Sequence, residues 1–147
     1  AFADIVQKRW GGCNGTGDTF AVLTRGEGDD VASLEQTLKG VTAGRKYRLF
    51  AATFDVDDAK AKRCAPRKIE LKLSLEGAEI DPAVTYDWVD DRPAKDHREG
   101  DQCARLHIHR IVFTATSDTV VLRVDNAGAK PGAHLGINGV SVVPYFD

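Results

Sequence analysis

The sequence predicts an all-β domain, an antiparallel β-sandwich of the jelly-roll kind with about eight strands. Three observations carry this. Short segments alternate apolar and polar residues with a period of two, turns rich in Gly, Asp and Ser separate them, and no stretch repeats its apolar residues at the helical period. At 147 residues, 42% of them hydrophobic, the chain is long enough to bury a core without obligatory cross-links. Residues 1–147 therefore read as a single sandwich domain, with 1–17 an irregular N-terminal segment.

In chain order, a short strand fits Asp4–Gln7, and GGCNGTG after Trp10 reads as a glycine-rich turn. It lacks the GxGxxG spacing and the following helix of a phosphate cradle. Asp18–Thr24, DTFAVLT, is a strand, and RGEGDD is a charged turn. The chain is organised around Leu34–Phe54, LEQTLKGVTAGRKYRLFAATF, two strands joined by a turn at Ala43-Gly44. Leu34, Gln36 and Leu38 share one face of the first strand; Tyr47, Leu49 and Ala51 share one face of the second, with Arg48 opposite. DVDDAKAKRCAP is a polar connection ending at Pro66, and its acids lack the sixth-position Gly and closing Glu of a calcium-binding EF-hand loop.

Lys68–Gly77, KIELKLSLEG, is the cleanest strand. Ile69, Leu71, Leu73 and Leu75 line one side and Glu70, Lys72, Ser74 and Glu76 the other, as in an antiparallel sheet with one wet face. Val84–Val89, VTYDWV, precedes DDRPAKDHREGDQ, a charged loop of the length that often carries function. Leu106–Thr116 and Thr119–Asp125 are strands across a Ser-Asp turn, with Ile111, Phe113 and Ala115, then Val120, Leu122 and Val124, directed inward. NAGAKPGAHLG leads to a last strand, Ile137–Val143.

Charge narrows the partners. Twenty basic residues against 22 acidic ones, a net charge of −2, give no electrostatic case for nucleic acid or an anionic membrane. No apolar run approaches the roughly 20 residues of a membrane span. The opening AFADIVQKRW lacks a signal-peptide pattern and the chain contains no Met, as expected of a processed or trimmed start. Cys13, Cys64 and Cys103 have no zinc-site spacing. One disulfide and one odd thiol is the simplest reading. Cys64 precedes one strand and Cys103 a parallel-running strand two places later, so Cys64–Cys103 is the expected pair; three buried reduced thiols are the alternative. A disulfide implies an oxidising location, extracellular, periplasmic or on the cell surface.

The order of SLEQTLKGVTAGRKYRLFAATF with its Gln36, a strand bearing Trp88, then HRIVFTATSDTVVLRV and LGINGVSVVP resembles the galactose-binding-domain-like jelly rolls. These include carbohydrate-binding modules attached to bacterial glycoside hydrolases and related cell-wall proteins. The resemblance covers roughly Asp18 to Pro144. It implies sugar binding on a concave sheet face or at loop tips, and a structural calcium for which Asp18 and Asn138 are the candidate ligands. Two features depart from the family: its opening Asn-Gly-Ser-Phe-Glu-like strand is missing, and Asn138 replaces an aspartate before the last strand's valine.

Sugar chemistry points to a site independently. A pyranose presents an apolar face of C–H groups and a rim of hydroxyls, so it needs an aromatic platform beside planar hydrogen-bonding groups. YDWVDDR supplies both as Tyr86, Asp87, Trp88, Asp90, Asp91 and Arg92, and alternation puts Tyr86, Trp88 and Asp90 on one face. The competing reading makes Trp88 a core residue and the acids loop-solvating groups. Trp10 is a second platform candidate, while Tyr145 and Phe146 read as cover for a sheet edge or a neighbouring domain. His107 and His109 share a strand face and with His97 or His134 would make a three-histidine metal site; otherwise they are rim residues. There is no GxSxG, no HExxH and no Cys–His pattern, and a glycosidase carboxylate pair is not legible. The expectation is a non-catalytic carbohydrate-binding module that recognises a glycan and associates with other domains or subunits. The alternative is a structural or protein-interaction subunit of an extracellular or surface complex, with the same aromatics as interface anchors.

Overall fold

The computed structural model describes residues 2–8, 18–61, 66–90 and 106–147, the side chains from residue 20 onward. Among them are ten strands: β1 (Phe2–Lys8), β2 (Asp18–Thr24), β3 (Ser33–Leu38), β4 (Lys46–Asp55), β5 (Lys72–Glu76), β6 (Ala78–Ile80), β7 (Tyr86–Val89), β8 (His107–Ala115), β9 (Val120–Asp125) and β10 (His134–Pro144). One short helix, α1 (Val56–Lys60), follows β4. Seven strands form a sheet in the order β1-β2-β10-β4-β8-β6, with β7 also paired to β8, and β3-β9-β5 form a second sheet. All pairs are antiparallel. The all-β sandwich predicted from sequence is the fold.

The core lies between the sheets and is built by the predicted faces. Tyr47, Leu49 and Ala51 of β4, Ile111, Phe113 and Ala115 of β8, and Leu135 and Ile137 of β10 meet Leu38 of β3 and Val120, Leu122 and Val124 of β9. Tyr47 and Phe113 stack with centroids 5.7 Å apart. Burying side chains of this size stabilises by about 1.5–3 kcal/mol each, which makes this layer the main source of stability.

Leu34–Phe54 differs from a hairpin. β3 pairs with β9, whereas β4 pairs with β10 and β8, so the turn at Ala43-Gly44 carries the chain from one sheet to the other. Both strands direct their apolar faces to the same core, one from each sheet. The crossing is fixed by Gly44 at φ 85°, whose N–H donates to the Ala115 carbonyl at 2.7 Å, and by the Thr42 N–H donating to the Tyr47 hydroxyl at 2.8 Å.

Two elements were not anticipated. The polar connection after Phe54 contains α1, capped by Asp55, whose carboxylate accepts from the Asp58 N–H at 2.9 Å. The short strand β6 lies along β8. The ladder in KIELKLSLEG begins only at Lys72, although Ile69 and Leu71 are buried ahead of it. On the outer face of the large sheet a second cluster, Phe20, Val22, Phe54 and Val56 with Leu106 against it, is closed by α1. A methyl on Gly136 of β10 would come within 2.5 Å of the Phe54 ring, which is why that position is glycine.

Candidate functional site

The short strand β7 sets two different arrays, one on each face. Its register along β8 is Tyr86 opposite Arg110, Asp87 opposite His109, Trp88 opposite Ile108 and Val89 opposite His107. Opposed residues share a face. Tyr86 and Trp88 therefore point outward with Arg110, and Asp87 points inward with the histidines.

On the outer face Tyr86 is 51% exposed and Trp88 37%, so Trp88 is not a core residue. Their ring centroids lie 5.6 Å apart with planes tilted by 39°, and Phe50 of β4 meets Trp88 edge-on at 6.2 Å. Two guanidinium groups lie over this surface. Arg48 sits 4.6 Å from the Phe50 centroid; Arg110 sits 4.9 Å from that of Tyr86 and 5.8 Å from that of Tyr145. Arg110 Nη1 also donates to the Tyr86 hydroxyl at 2.6 Å. Tyr145 reaches this face because β10 shifts register between Asn138 and Ser141: Asn138 faces Ala52, but Ser141 faces Phe50. Gly139 makes the bulge at φ 63°.

On the inner face Asp87 Oδ2 accepts from Lys68 Nζ at 2.9 Å and from His107 Nε2 at 2.6 Å. The His107 ring, 4% exposed, accepts the Ile69 N–H on Nδ1 at 2.9 Å. With Nδ1 an acceptor, the proton of the neutral ring is on Nε2 and points at Asp87. Hydrogen bonds from Lys68 and then from His107 hold the Asp87 carboxyl down at about 2. His109 Nε2 lies 2.8 Å from the Thr53 hydroxyl, which itself donates to the His107 carbonyl at 3.2 Å. Since Thr53 has one proton and gives it to the carbonyl, it accepts from His109 Nε2–H. Burial first, and the adjacent His107 second, push His109 down to about 4. A shallow pocket of about 200 Å³ opens beside Thr85, Asp87, His109 and Leu73.

Both ring nitrogens of His107 are engaged, so this array cannot take a proton from a substrate through His107. It ties residues 68–69 to β7 and β8. Asp87, a candidate ligand-binding residue from the same run as Tyr86 and Trp88, belongs to this inner array.

The other predicted residues are distributed as follows. Asp90 continues the β7 ladder, its N–H donating to the Leu106 carbonyl at 2.8 Å. Asp91, Arg92, Trp10, His97 and the three cysteines, with the expected Cys64–Cys103 pair, lie outside the described residues. Asn138 faces Ala52, and Asp18 pairs with Lys8 at the far end of β2. Among the described residues no group of three or more His, Cys, Asp or Glu gathers as a metal shell. His134 is held by Asp57 at 2.8 Å rather than joining His107 and His109. No helix among the described residues is long and apolar enough to cross a membrane.

Arg48, Phe50, Arg110 and Tyr145 are the members of the outer surface that sequence reading did not assign to it. The signal for the first three was available, since each occupies the wet face of a strand whose inward residues were identified. The resemblance to the galactose-binding-domain-like jelly rolls holds at the level of a two-sheet all-β sandwich. No protein-family model, no curated protein and no solved structure matches the chain.

Proposed function

We propose that this protein is a non-catalytic module that binds a glycan on the outer face of its large sheet, as a member of the galactose-binding-domain-like jelly rolls. The observation that carries the reading is the exposed pair Tyr86 and Trp88, with Phe50 supporting Trp88 edge-on. Such a surface offers apolar area to the C–H face of a pyranose, while the Tyr86 hydroxyl, Ser141 and the two guanidinium groups offer hydrogen bonds to its rim. A location outside the cytoplasm, with Cys64–Cys103 joined, belongs to the same proposal. The test is a glycan array with the wild type and Trp88→Ala. Wild type binds a glycan, and the variant binds at least about tenfold more weakly, the scale of one aromatic contact. A blank array for the wild type sinks the reading.

A second reading has its own observation. The apolar surface runs on through Val143 to Tyr145, and Phe146 beyond it is 86% exposed. A protein partner would use these residues as anchors, as in a surface or extracellular complex. A partner whose binding is lost on Phe146→Ala, together with a blank array, would establish this alternative.

A further inference from the structure

We infer that the glycan recognised by this surface is acidic, its carboxylate or sulfate taken by Arg48 and Arg110. The inference rests on the glycan-binding reading and adds the ligand's charge to it.

The arginines differ from Arg25, Arg67 and Arg123 in how their donors are used. Arg67 reaches Asp55, Asp58 and Glu70, Arg123 reaches Glu35, and Arg25 donates to the Gly26, Gly28 and Asp30 carbonyls. Among the described residues Arg48 and Arg110 meet no carboxylate. Arg110 commits one donor to the Tyr86 hydroxyl, and Arg48 lies against Phe50 without a hydrogen bond among the described residues. The Nε–H of each is buried and unpartnered, so the groups left for a ligand are the terminal nitrogens of two planar forks. Such forks match a carboxylate or sulfate in geometry as well as charge. Lys46, also on this face, is balanced by Asp81 and Asp147 at 3.4 Å each. A protein of net charge −2 thus places two uncompensated positive charges beside its exposed aromatic rings.

The register also fixes how an acidic sugar would lie. Arg48 covers Phe50 and Arg110 covers Tyr86, and Trp88 has no guanidinium over it among the described residues. Trp88 faces Ile108, so Arg110 is its diagonal neighbour across the β7–β8 ladder, at the roughly 7–8 Å usual for such pairs. A hexose ring stacked on Trp88 places a ring substituent over Arg110. Asp87, which would repel such a group, is on the opposite face and engaged by Lys68 and His107.

The experiment measures binding of an oligogalacturonate, a sulfated oligosaccharide and a neutral hexose oligomer of equal length, by calorimetry at about 50 mM and about 500 mM salt, with an oligothymidylate as a fourth probe. Wild type and the variants R48Q, R110Q and R110K are compared. At low salt one or both acidic oligomers bind at least about tenfold more tightly than the neutral one, and which of them binds distinguishes carboxylate from sulfate recognition. R48Q and R110Q each lose about tenfold for the acidic ligand, R110K recovers part of that loss, and high salt narrows the preference. Near-ultraviolet circular dichroism confirms that the variants fold. If the neutral oligomer binds as tightly as the acidic ones and Arg→Gln leaves it unchanged, the inference fails while glycan binding stands. If no oligosaccharide binds, both fail. Arginine-dependent binding of the oligothymidylate in place of any sugar overturns both in favour of nucleic acid.

Discussion

His109 makes folding stability depend on pH in a range where carboxylates contribute little. Its ring is pushed down to about 4 from an ordinary 6.5, by burial first and by His107 second. The unfolded chain takes up this proton as the pH falls through 6.5, while the folded chain resists it until about 4. A depressed pKa of this kind gives stability that is complete above 6.5 and lost progressively as the pH falls toward 4. Each pH unit between costs up to about 1.4 kcal/mol, and for one such group the loss from pH 7.5 to 4.5 is on the order of 2–3 kcal/mol. Urea unfolding followed by tryptophan fluorescence measures it. His109→Gln, which keeps a donor for the Thr53 hydroxyl, removes the titration and flattens the profile over that window. Two results would refute the reasoning: an NMR titration of the His109 ring with its midpoint near 6.5, or a His109→Gln profile parallel to wild type. Asp87 governs the next window. Its carboxyl is held at about 2, so its contribution is complete above the ordinary 3.8 and lost as the pH falls from there toward 2.

Other perturbations test the architecture that positions the outer surface. Gly139→Ala puts a side chain at φ 63° in open space, so the cost is backbone strain alone, about 1 kcal/mol, or a Tm lower by about 2–4 °C; an unchanged Tm would contradict the bulge. Asn126→Ala removes the buried acceptor of the Ala32 N–H, 2.9 Å away, and lowers stability by about 1–3 kcal/mol in urea titration, with the m-value unchanged.

Faces were legible in this sequence and partners were not. Period-two alternation is a local property, and it identified Tyr47, Leu49 and Ala51, or Ile111, Phe113 and Ala115, as core because burial follows from the strand's own pattern. Which strand lies alongside is a long-range property with no local signature. Hence Leu34–Phe54 reads equally well as a hairpin or as a crossing between sheets, and only pairing with β9 on one side and β10 on the other distinguishes them. α1 escaped because a five-residue helix has too few turns to show an apolar stripe, although Asp55 followed by Asp57 and Asp58 is the composition of a capped N-terminus.

The outer surface shows the same limit at one residue's resolution. Tyr86 and Trp88 were placed on one face by alternation, and so they are. Their polar neighbours are another matter: Asp87, adjacent in sequence, lies on the opposite face, and adjacency in a sheet means the next strand. The neighbours are Arg110 across β8 and Phe50 beyond it. Strict alternation through Ile137–Val143 would put Val142 outside and Ser141 inside, burying a hydroxyl and exposing a valine. One extra residue at Gly139 reverses this: Leu135 and Ile137 point inward before it, and Val142 packs on the core after it. The same reversal leaves Ser141 and Val143 on the face occupied by Phe50 and Arg48, and it carries Tyr145 to within reach of Arg110. The burial requirement of Val142 therefore determines what surrounds the aromatic surface, and the bulge that satisfies the core also composes the site.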